Sequence, residues 1–490
     1  MIVTPSQMQA AEEEAFCKGA SPDSLMAIAG AGIAKTIEQF FSKPGTAILY
    51  CGKGHNASDA LVAARHLQAK GWRVLLRLAY SPEELVPLTR SHLASRSDIP
   101  VIEKAPEFFD APLILIDGLL GIGSSGAARG AIAELIQEMN EVRQNSGGFS
   151  IAIDLPSGLD GCTGEVFDPC IQADLTITLG AVKTGLIADS ATALVGRLAV
   201  IPLPEILFRE GDSSEVITAD FLRPLLPIRN FDTHKGTYGR IGILAGSRGT
   251  LGAARLASSA AVHAGGGLVT LYALPDAFEL LAATCISEVM VRSISSYCEV
   301  LSEKHDLLAI GPGIGREHDT DILTILRDSP LPCVVDADAM NALSTDLSIL
   351  LNSAGSRLLT PHPGEMERLD PQQRRSRREW AEDFVAHYPV TLLLKGSRTI
   401  IAQKGAEIAF NTTGNPGMGS GGMGDVLTGV LAALIGGGHS LRDAAMMGAW
   451  LCGRAAEIAI TKDDSQESIS ATSVIAHLGA ACTSLREGAF

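Results

Sequence analysis

Short apolar runs recur along this chain, and each ends in a polar or glycine-bearing turn. In the first half they fall at 47–51, 73–78, 113–116, 151–153, 175–179 and 198–201. In the second half they fall at 241–244, 268–272, 307–310, 333–335, 358–360 and 392–394, with a short hairpin at 399–403 and 407–410. Between them lie helical stretches rich in small residues, such as 60–69 and the alanine-rich segment before the glycines at 265–267. Strands alternating with helices build a mostly parallel sheet with helices on both faces. A Pro-, charge- and Ser/Thr-rich stretch at 204–232 interrupts the pattern. Such composition marks a domain boundary. The expectation is an α/β protein of two doubly wound domains, 1–215 and 216–490. At roughly 150 residues per domain, 490 residues accommodate both.

In open α/β sheets the ligand crevice lies at the carboxyl ends of the strands. Several chemically capable side chains stand at such ends. Asp117 closes 113–116 and Asp154 closes 151–153, each followed by a glycine-bearing turn. The run 47–51 leads into Gly52-Lys-Gly54-His55-Asn56-Ala57-Ser58-Asp59. The third glycine of a dinucleotide fingerprint is missing there. Asn56 and Asp59 could simply cap the helix expected from about Ala60, and a lone strand-end Asp is often a turn former. Two such aspartates beside the Asn56 loop point to a polar cluster. In the second half the tips carry Asp336, Asp338, His362, Glu365 and Lys395.

The densest signal is 411–434, NTTGNPGMGSGGMGDVLTGVLAAL, with six glycines ahead of Asp425 and then Val426, Val430 and Leu434 at helical spacing. Glycines allow close backbone approach, and an unpaired helix start attracts anions. Asp425 either caps that helix or takes a proton from a hydroxyl attacking phosphate. No Gly-Lys-Ser/Thr follows, so this is not a Walker A loop.

Composition narrows the partners. A net charge of −16 argues against nucleic acid or an anionic membrane. No apolar run reaches the roughly 18 residues of a membrane span, and the acidic N-terminus has no signal-peptide core. Nine scattered cysteines without a C-x-x-C suggest reduced thiols in a cytoplasmic protein. No His/Cys metal spacing is present. Arg374, Arg375, Arg377 and Arg378 read as a solvated helix face, and His263 as a packed or capping histidine.

The second half resembles the ADP/ATP-dependent NAD(P)H-hydrate dehydratases, which have a ribokinase-like fold. The matching blocks are HKGTYGR (234–240), GAARLA (252–257), GPGIG (311–315), VVDADAMNAL (334–343), TPHPGE (360–365), LLKGSRT (393–399) and NPGMGSGGMGDVLTG (415–429). The first half resembles the NAD(P)H-hydrate epimerase domain, a Rossmann-like three-layer sandwich, through GKGHNASDALVAARHL (52–67), DGLLGIG (117–123) and DLPSGLD (154–160). The resemblance implies a repair enzyme that interconverts the R and S hydrates of NADH and NADPH. It would then dehydrate the S form by nucleotide-dependent phosphorylation of its C6 hydroxyl.

It further implies Asp425 as the base, with Ala253, Gly315 and His362 contacting the hydrate. Lys395, Gly396, Ser397, Arg398, Thr399 and Gly424 would bind ADP or ATP with Mg²⁺, and Glu365 would order the magnesium's water. In the first half it implies hydrate contacts at His55, Asn56, Ala57, Ser58 and Asp59. A second contact segment would comprise Gly121, Ile122, Gly123, Ser124, Ser125, Gly126 and Ala127, with Asp154 as a binding and catalytic acid. A potassium site is implied at Asn56, Asp117 and Ser157, and so is a homo-oligomer.

One departure stands out. The family's loop reads Asn-Asn-Gly-Gly-Asp-Gly, and here it is His55-Asn56-Ala57-Ser58-Asp59-Ala60. The departure puts epimerisation in question. Two rival readings compete: a ribokinase-like kinase of a small alcohol with a regulatory first half, and a non-catalytic dinucleotide sensor.

Overall fold

The computed structural model describes residues 1–96, 98–209, 211–371 and 376–488. The chain divides into two compact units, Met1–Val216 and Ile217–Gly488. Both are doubly wound α/β structures.

The first unit contains β1 (Ile2–Val3), β2 (Thr46–Cys51), β3 (Arg73–Leu78), β4 (Leu113–Gly118), β5 (Phe149–Ile153), β6 (Leu175–Leu179), β7 (Val182–Lys183) and β8 (Arg197–Ile201). Six strands form one sheet in the order β3-β2-β4-β5-β6-β8, with every pair parallel. Side chains alternate across a strand, and β2 shows the result. Ala47, Leu49 and Cys51 enter one apolar layer with Leu25, Ile33, Leu61 and Leu67 of helices Pro22–Glu38 and His55–Ala69. Ile48 and Tyr50 enter the other with Ile132, Leu135 and Ile136 of helix Ala131–Ser146. Helices therefore cover both faces, as a fully buried parallel sheet requires. The strand order reverses between β2 and β4, so a crevice opens where their carboxyl ends part. Separately, β1 pairs with β7 in parallel, Ile2 beside Val182 and Val3 beside Lys183. Thr4 then caps helix Pro5–Cys17 through a capping box with Gln7.

The boundary strand β9 (Glu215–Ile217) precedes β10 (Arg240–Leu244), β11 (Leu268–Ala273), β12 (Val289–Ser293), β13 (Leu307–Ile310), β14 (Cys333–Val335), β15 (Arg357–Leu359), β16 (Thr391–Leu394), β17 (Ile400–Gln403) and β18 (Ala409–Asn411). Their order is β12-β11-β10-β13-β14-β15-β16-β17-β18-β9. Pairing is parallel from β12 to β16 and antiparallel for β16–β17 and β17–β18. The order reverses between β10 and β13. The sequence did not disclose β12, because it is an edge strand with Met290 and Arg292 outside the core.

Small residues set the helix packing on this second sheet. A Cβ on Gly429 would lie 2.1 Å from the Ala257 carbonyl oxygen, so helices Leu251–His263 and Met423–Gly436 touch backbone to backbone. Of the arginine cluster, Arg374 and Arg375 lie outside the described residues. Arg378 Nε donates to Glu382 on helix Arg377–His387 at 2.9 Å, as on a solvated helix face. His263 is exposed, and its ring nitrogen meets the Ser259 carbonyl one turn back at 2.9 Å.

Candidate functional site

In the first unit, the tip of β2 runs against the loop after β4. A Cβ on Gly52 would fall 1.9 Å from the Leu119 carbonyl oxygen, so only glycine fits. Helix His55–Ala69 then begins five residues earlier than expected, with Gly54 at its N-cap. With no glycine after Gly54 and good helix formers at Ala57 and Ala60, the helix extends back through the supposed loop. This corrects the helix start expected at about Ala60. Ala57 and Ala60 pack into the core, and Ser58 exchanges a hydrogen bond with Thr89 at 2.7 Å. The side chains that depart from the family's glycines are thus buried away from the crevice. His55, Asn56 and Asp59 line it.

Asn56 clamps two strand tips. Its Nδ2 donates to the carbonyls of Leu120 at 2.6 Å and Ile153 at 3.2 Å. Asp117 accepts from Leu119 N at 3.1 Å, Ser157 N at 2.8 Å and Ser157 Oγ at 2.7 Å. Ser157 Oγ in turn accepts from Leu120 N at 3.0 Å. Burial pushes the Asp117 carboxyl up to about 6, against the pull of the Ser157 and Leu119 hydrogen bonds.

Asp154 stands at φ +66°, a conformation Asp tolerates better than most residues. Its Oδ1 accepts from Thr178 Oγ1 and Leu179 N, both at 3.1 Å, and pairs with the ammonium of fully buried Lys183. Lys183 also donates to Leu179 O at 2.8 Å and Thr178 Oγ1 at 3.1 Å.

Of these groups, Asn56 and Asp154 line a cavity of about 760 Å³, and Asp117, Ser157 and Lys183 lie buried behind it. Gly121, Ile122, Gly123 and Ser124 line it, whereas Ser125, Gly126 and Ala127 continue that loop on the exposed surface. Glu12, from helix Pro5–Cys17, lines it too. Burial, then the Asp154 charge, push the Glu12 carboxyl up to about 7, with Lys183 pulling the other way. Burial first, then Asp154 and Glu12, hold Asp59 well above the usual carboxylate range.

In the second unit, helix Met423–Gly436 starts at Gly422, whose φ is +89°, and no side chain caps it. Asp425 is the third helical residue, so the capping alternative is closed. Its half-buried carboxyl is pushed up to about 6 by burial and then by Asp336, with Lys395 opposing.

Lys395, at the end of β16, reaches Asp336 Oδ1 at 2.8 Å and Glu365 Oε2 at 3.8 Å. Burial opposes its charge, but Asp336, Glu365 and Asp425 outweigh that and hold the ammonium above its usual range. Asp336 also accepts from Thr360 Oγ1 and Thr428 Oγ1, each at 2.8 Å. A Cβ on Gly424 would lie 3.5 Å from Lys395 Nζ, so the ammonium sits beside the first helical turn. Lys395, Asp336 and Asp425 therefore converge on an uncapped helix start. That combination can bind an anion and hold a carboxylate ready to take a proton.

The remaining tips adjoin this cluster. A Cβ on Gly311 would meet the Asp336 carbonyl oxygen at 1.8 Å, which locks the loop after β13 onto β14. Gly315 N donates to Asp338 Oδ2 at 3.0 Å, and Ala253 lies against Gly313. His362 caps helix Pro363–Leu369, with Nδ1 accepting from Gly364 N at 3.1 Å and Glu365 Oε2 accepting from His362 N at 2.8 Å.

A family model described as NAD(P)H-hydrate dehydratase matches residues 241–478, and one described as YjeF-related protein N-terminus matches 22–185. The bifunctional NAD(P)H-hydrate repair enzyme of Moorella thermoacetica is 37% identical over 477 residues, covering 88% of this chain and 87% of the relative. This chain belongs to the bifunctional NAD(P)H-hydrate repair enzymes. The Thermofilum pendens enzyme of that name is 33% identical, covering 99% of this chain and 97% of its own. Among solved structures, the ADP/ATP-dependent NAD(P)H-hydrate dehydratase of Bacillus subtilis, co-crystallised with ATP/Mg²⁺, is 27% identical. It covers 56% of this chain and 99% of its own, at a TM-score of 0.49.

The side chains assigned to the nucleotide in this repair-enzyme chain lie in different surroundings. Of the segment 395–399, Lys395 turns into the Asp336 cluster, Arg398 is buried, and Gly396 and Ser397 are exposed. Thr399 Oγ1 donates back to Gly396 O at 3.1 Å. Lys183, Glu12, Thr360 and Thr428 were not singled out from the sequence. Thr428 carried a usable signal, because it stands one turn beyond Gly424 and Asp425 on the same helix.

Proposed function

We propose that this chain repairs hydrated NADH and NADPH, with residues 1–215 epimerising the R and S hydrates and residues 216–490 dehydrating the S form. The observation that carries the reading is the meeting of Asp425, Lys395 and an uncapped helix start. Hydroxide leaves poorly and phosphate leaves well. In this reading Asp425 takes the proton of the C6 hydroxyl as that oxygen attacks the terminal phosphorus of ADP or ATP. The first-turn amides, with Gly424 keeping the approach open, hold the phosphoryl group. Lys395 neutralises Asp336 and adds positive charge near the transferred group. The ring nitrogen's lone pair then expels phosphate, and loss of a C5 proton restores the reduced nicotinamide.

Magnesium would spread the phosphoryl charge. Asp336 is already engaged by three donors, and no group of three or more His, Cys, Asp or Glu able to hold a metal occurs among the described residues. The residues therefore suit an ion carried on nucleotide phosphates, with Glu365 and Asp425 near its waters, rather than a protein cage. The test is to supply S hydrate with ADP or ATP and Mg²⁺. Recovery of reduced-nicotinamide absorbance with release of free phosphate is expected. An accumulating phosphorylated product would instead indicate a kinase.

For the first unit, potassium is proposed beside Asn56, Asp117 and Ser157. The supporting chemistry is a buried carboxyl that accepts three hydrogen bonds and has no ion-pair partner among the described residues, beside the Ser157 hydroxyl. A monovalent cation would balance that charge. Exchanging tetramethylammonium for potassium at constant ionic strength is expected to raise the melting temperature of the wild-type chain. It should not raise that of Asp117→Asn.

No helix among the described residues is long and apolar enough to cross a membrane, and all nine cysteines are free. A cytoplasmic, self-associating enzyme is the proposal consistent with both, and light scattering checks the assembly.

A further inference from the structure

We infer that Glu12 is an acid–base residue of the first unit's cavity, acting there together with Asp154. The inference rests on reading this unit as the epimerase. Glu12 lies outside residues 22–185, the span matched by the N-terminal family model.

The geometry begins at the N-terminus. Ile2 and Val3 form a ladder with Val182 and Lys183, which fixes the chain against the strand that carries the Asp154 partner. The Thr4 capping box then launches helix Pro5–Cys17. Met8, Gln9, Glu12, Glu13 and Phe16 all line the cavity, which is one face of a helix at its natural spacing. Met8 anchors that face, because a Cβ on Gly180 would fall 2.6 Å from its Cε. Glu12 is thereby held, partly buried, on the helix wall of the cavity. Asp154 enters the same cavity from the strand tips.

The chemistry of epimerisation calls for two such groups. A carbinolamine inverts at C6 when its hydroxyl leaves as water and water returns to the other face. In the R-to-S direction the Glu12 carboxylic acid gives its proton to the C6 oxygen and the C–O bond breaks. The ring-nitrogen lone pair forms a planar iminium. A water on the opposite face then adds to C6 and passes its proton to Asp154. The reverse direction exchanges the roles, and the proton balance is restored through solvent. No oxidant or phosphoryl donor enters.

Burial and the neighbouring Asp154 charge push Glu12 to about 7, where an acid works efficiently near neutrality. Asp59, Asp154 and Lys183 act on this group electrostatically, and Glu13, Lys53, His55 and Tyr80 share the cavity.

The test uses the full-length chain with purified R hydrate, ATP and Mg²⁺, with the appearance of reduced nicotinamide limited by epimerisation. Each variant is normalised to its own rate on S hydrate. Wild type is expected to lose rate as pH rises above about 7. Glu12→Gln is expected to lower the R-hydrate rate by about 10²–10⁴-fold and to remove that descending limb. Glu12→Asp should restore part of the rate together with the limb, which a packing role would not do. If wild type turns over R hydrate but Glu12→Gln matches it in rate and pH profile, the inference falls. If wild type does not outpace spontaneous epimerisation, the epimerase reading itself falls.

Discussion

Replacing Asp425 with Asn is expected to lower the dehydration of S hydrate by about 10²–10⁴-fold, the usual contribution of a positioned base. That corresponds to about 3–5 kcal/mol of barrier. Asparagine keeps the size of the side chain and leaves the first turn of helix Met423–Gly436 intact, so nucleotide binding should be nearly unchanged. The loss should therefore appear in kcat rather than in KM. The pH profile gives a second reading. Asp425 must be ionised to accept a proton, and burial with the Asp336 charge pushes it up to about 6. The wild-type rate should rise roughly tenfold per pH unit below about 6 and level above it. Asp425→Asn should lose that limb. A pure sensor protein would show neither effect.

The two doubly wound sheets were legible because strands buried on both faces leave unbroken apolar runs. The boundaries at 175–179 and 333–335 agree with β6 and β14 to the residue. Asp154 and Asp425 could be picked out because each ends an apolar run or glycine loop at a helix or strand tip.

What escaped did so for physical reasons. Glu12 sits in the acidic run Glu12-Glu13-Glu14, which reads as a solvated helix face, and only the β1–β7 ladder turns one side of it toward the cavity. Lys183 follows Ala-Val in a short segment where a lysine is ordinarily a surface residue, and its burial depends on Asp154, 29 positions away. The early start of helix His55–Ala69 was hidden because Gly52, Gly54, Asn56 and Asp59 read as loop and capping residues, whereas Ala57 and Ala60 favour helix. Local pattern identifies groups at tips. It does not disclose which distant side chain completes each tip.

Replacing Lys183 with Met is expected to destabilise the first unit by about 3–5 kcal/mol, the cost of leaving one member of a buried ion pair without its partner. The methionine fills similar space, but Asp154 loses its counter-charge and the carbonyl of Leu179 loses its donor. Slowly exchanging amides of β5 and β6 should then exchange about 10²–10⁴-fold faster, because their protection follows the opening free energy of the unit. The double variant Lys183→Met with Asp154→Asn tests the cause. An asparagine oxygen can still accept from Thr178 Oγ1 and Leu179 N without a buried charge, so much of the lost protection should return. If Lys183→Met alone leaves exchange unchanged, the pair does not hold the strand tips together. If the double variant is as labile as the single one, the loss comes from packing rather than from an orphaned carboxylate. In the expected case the double variant regains stability while R-hydrate turnover stays lost, which separates Asp154's part in the chemistry from its part in the fold.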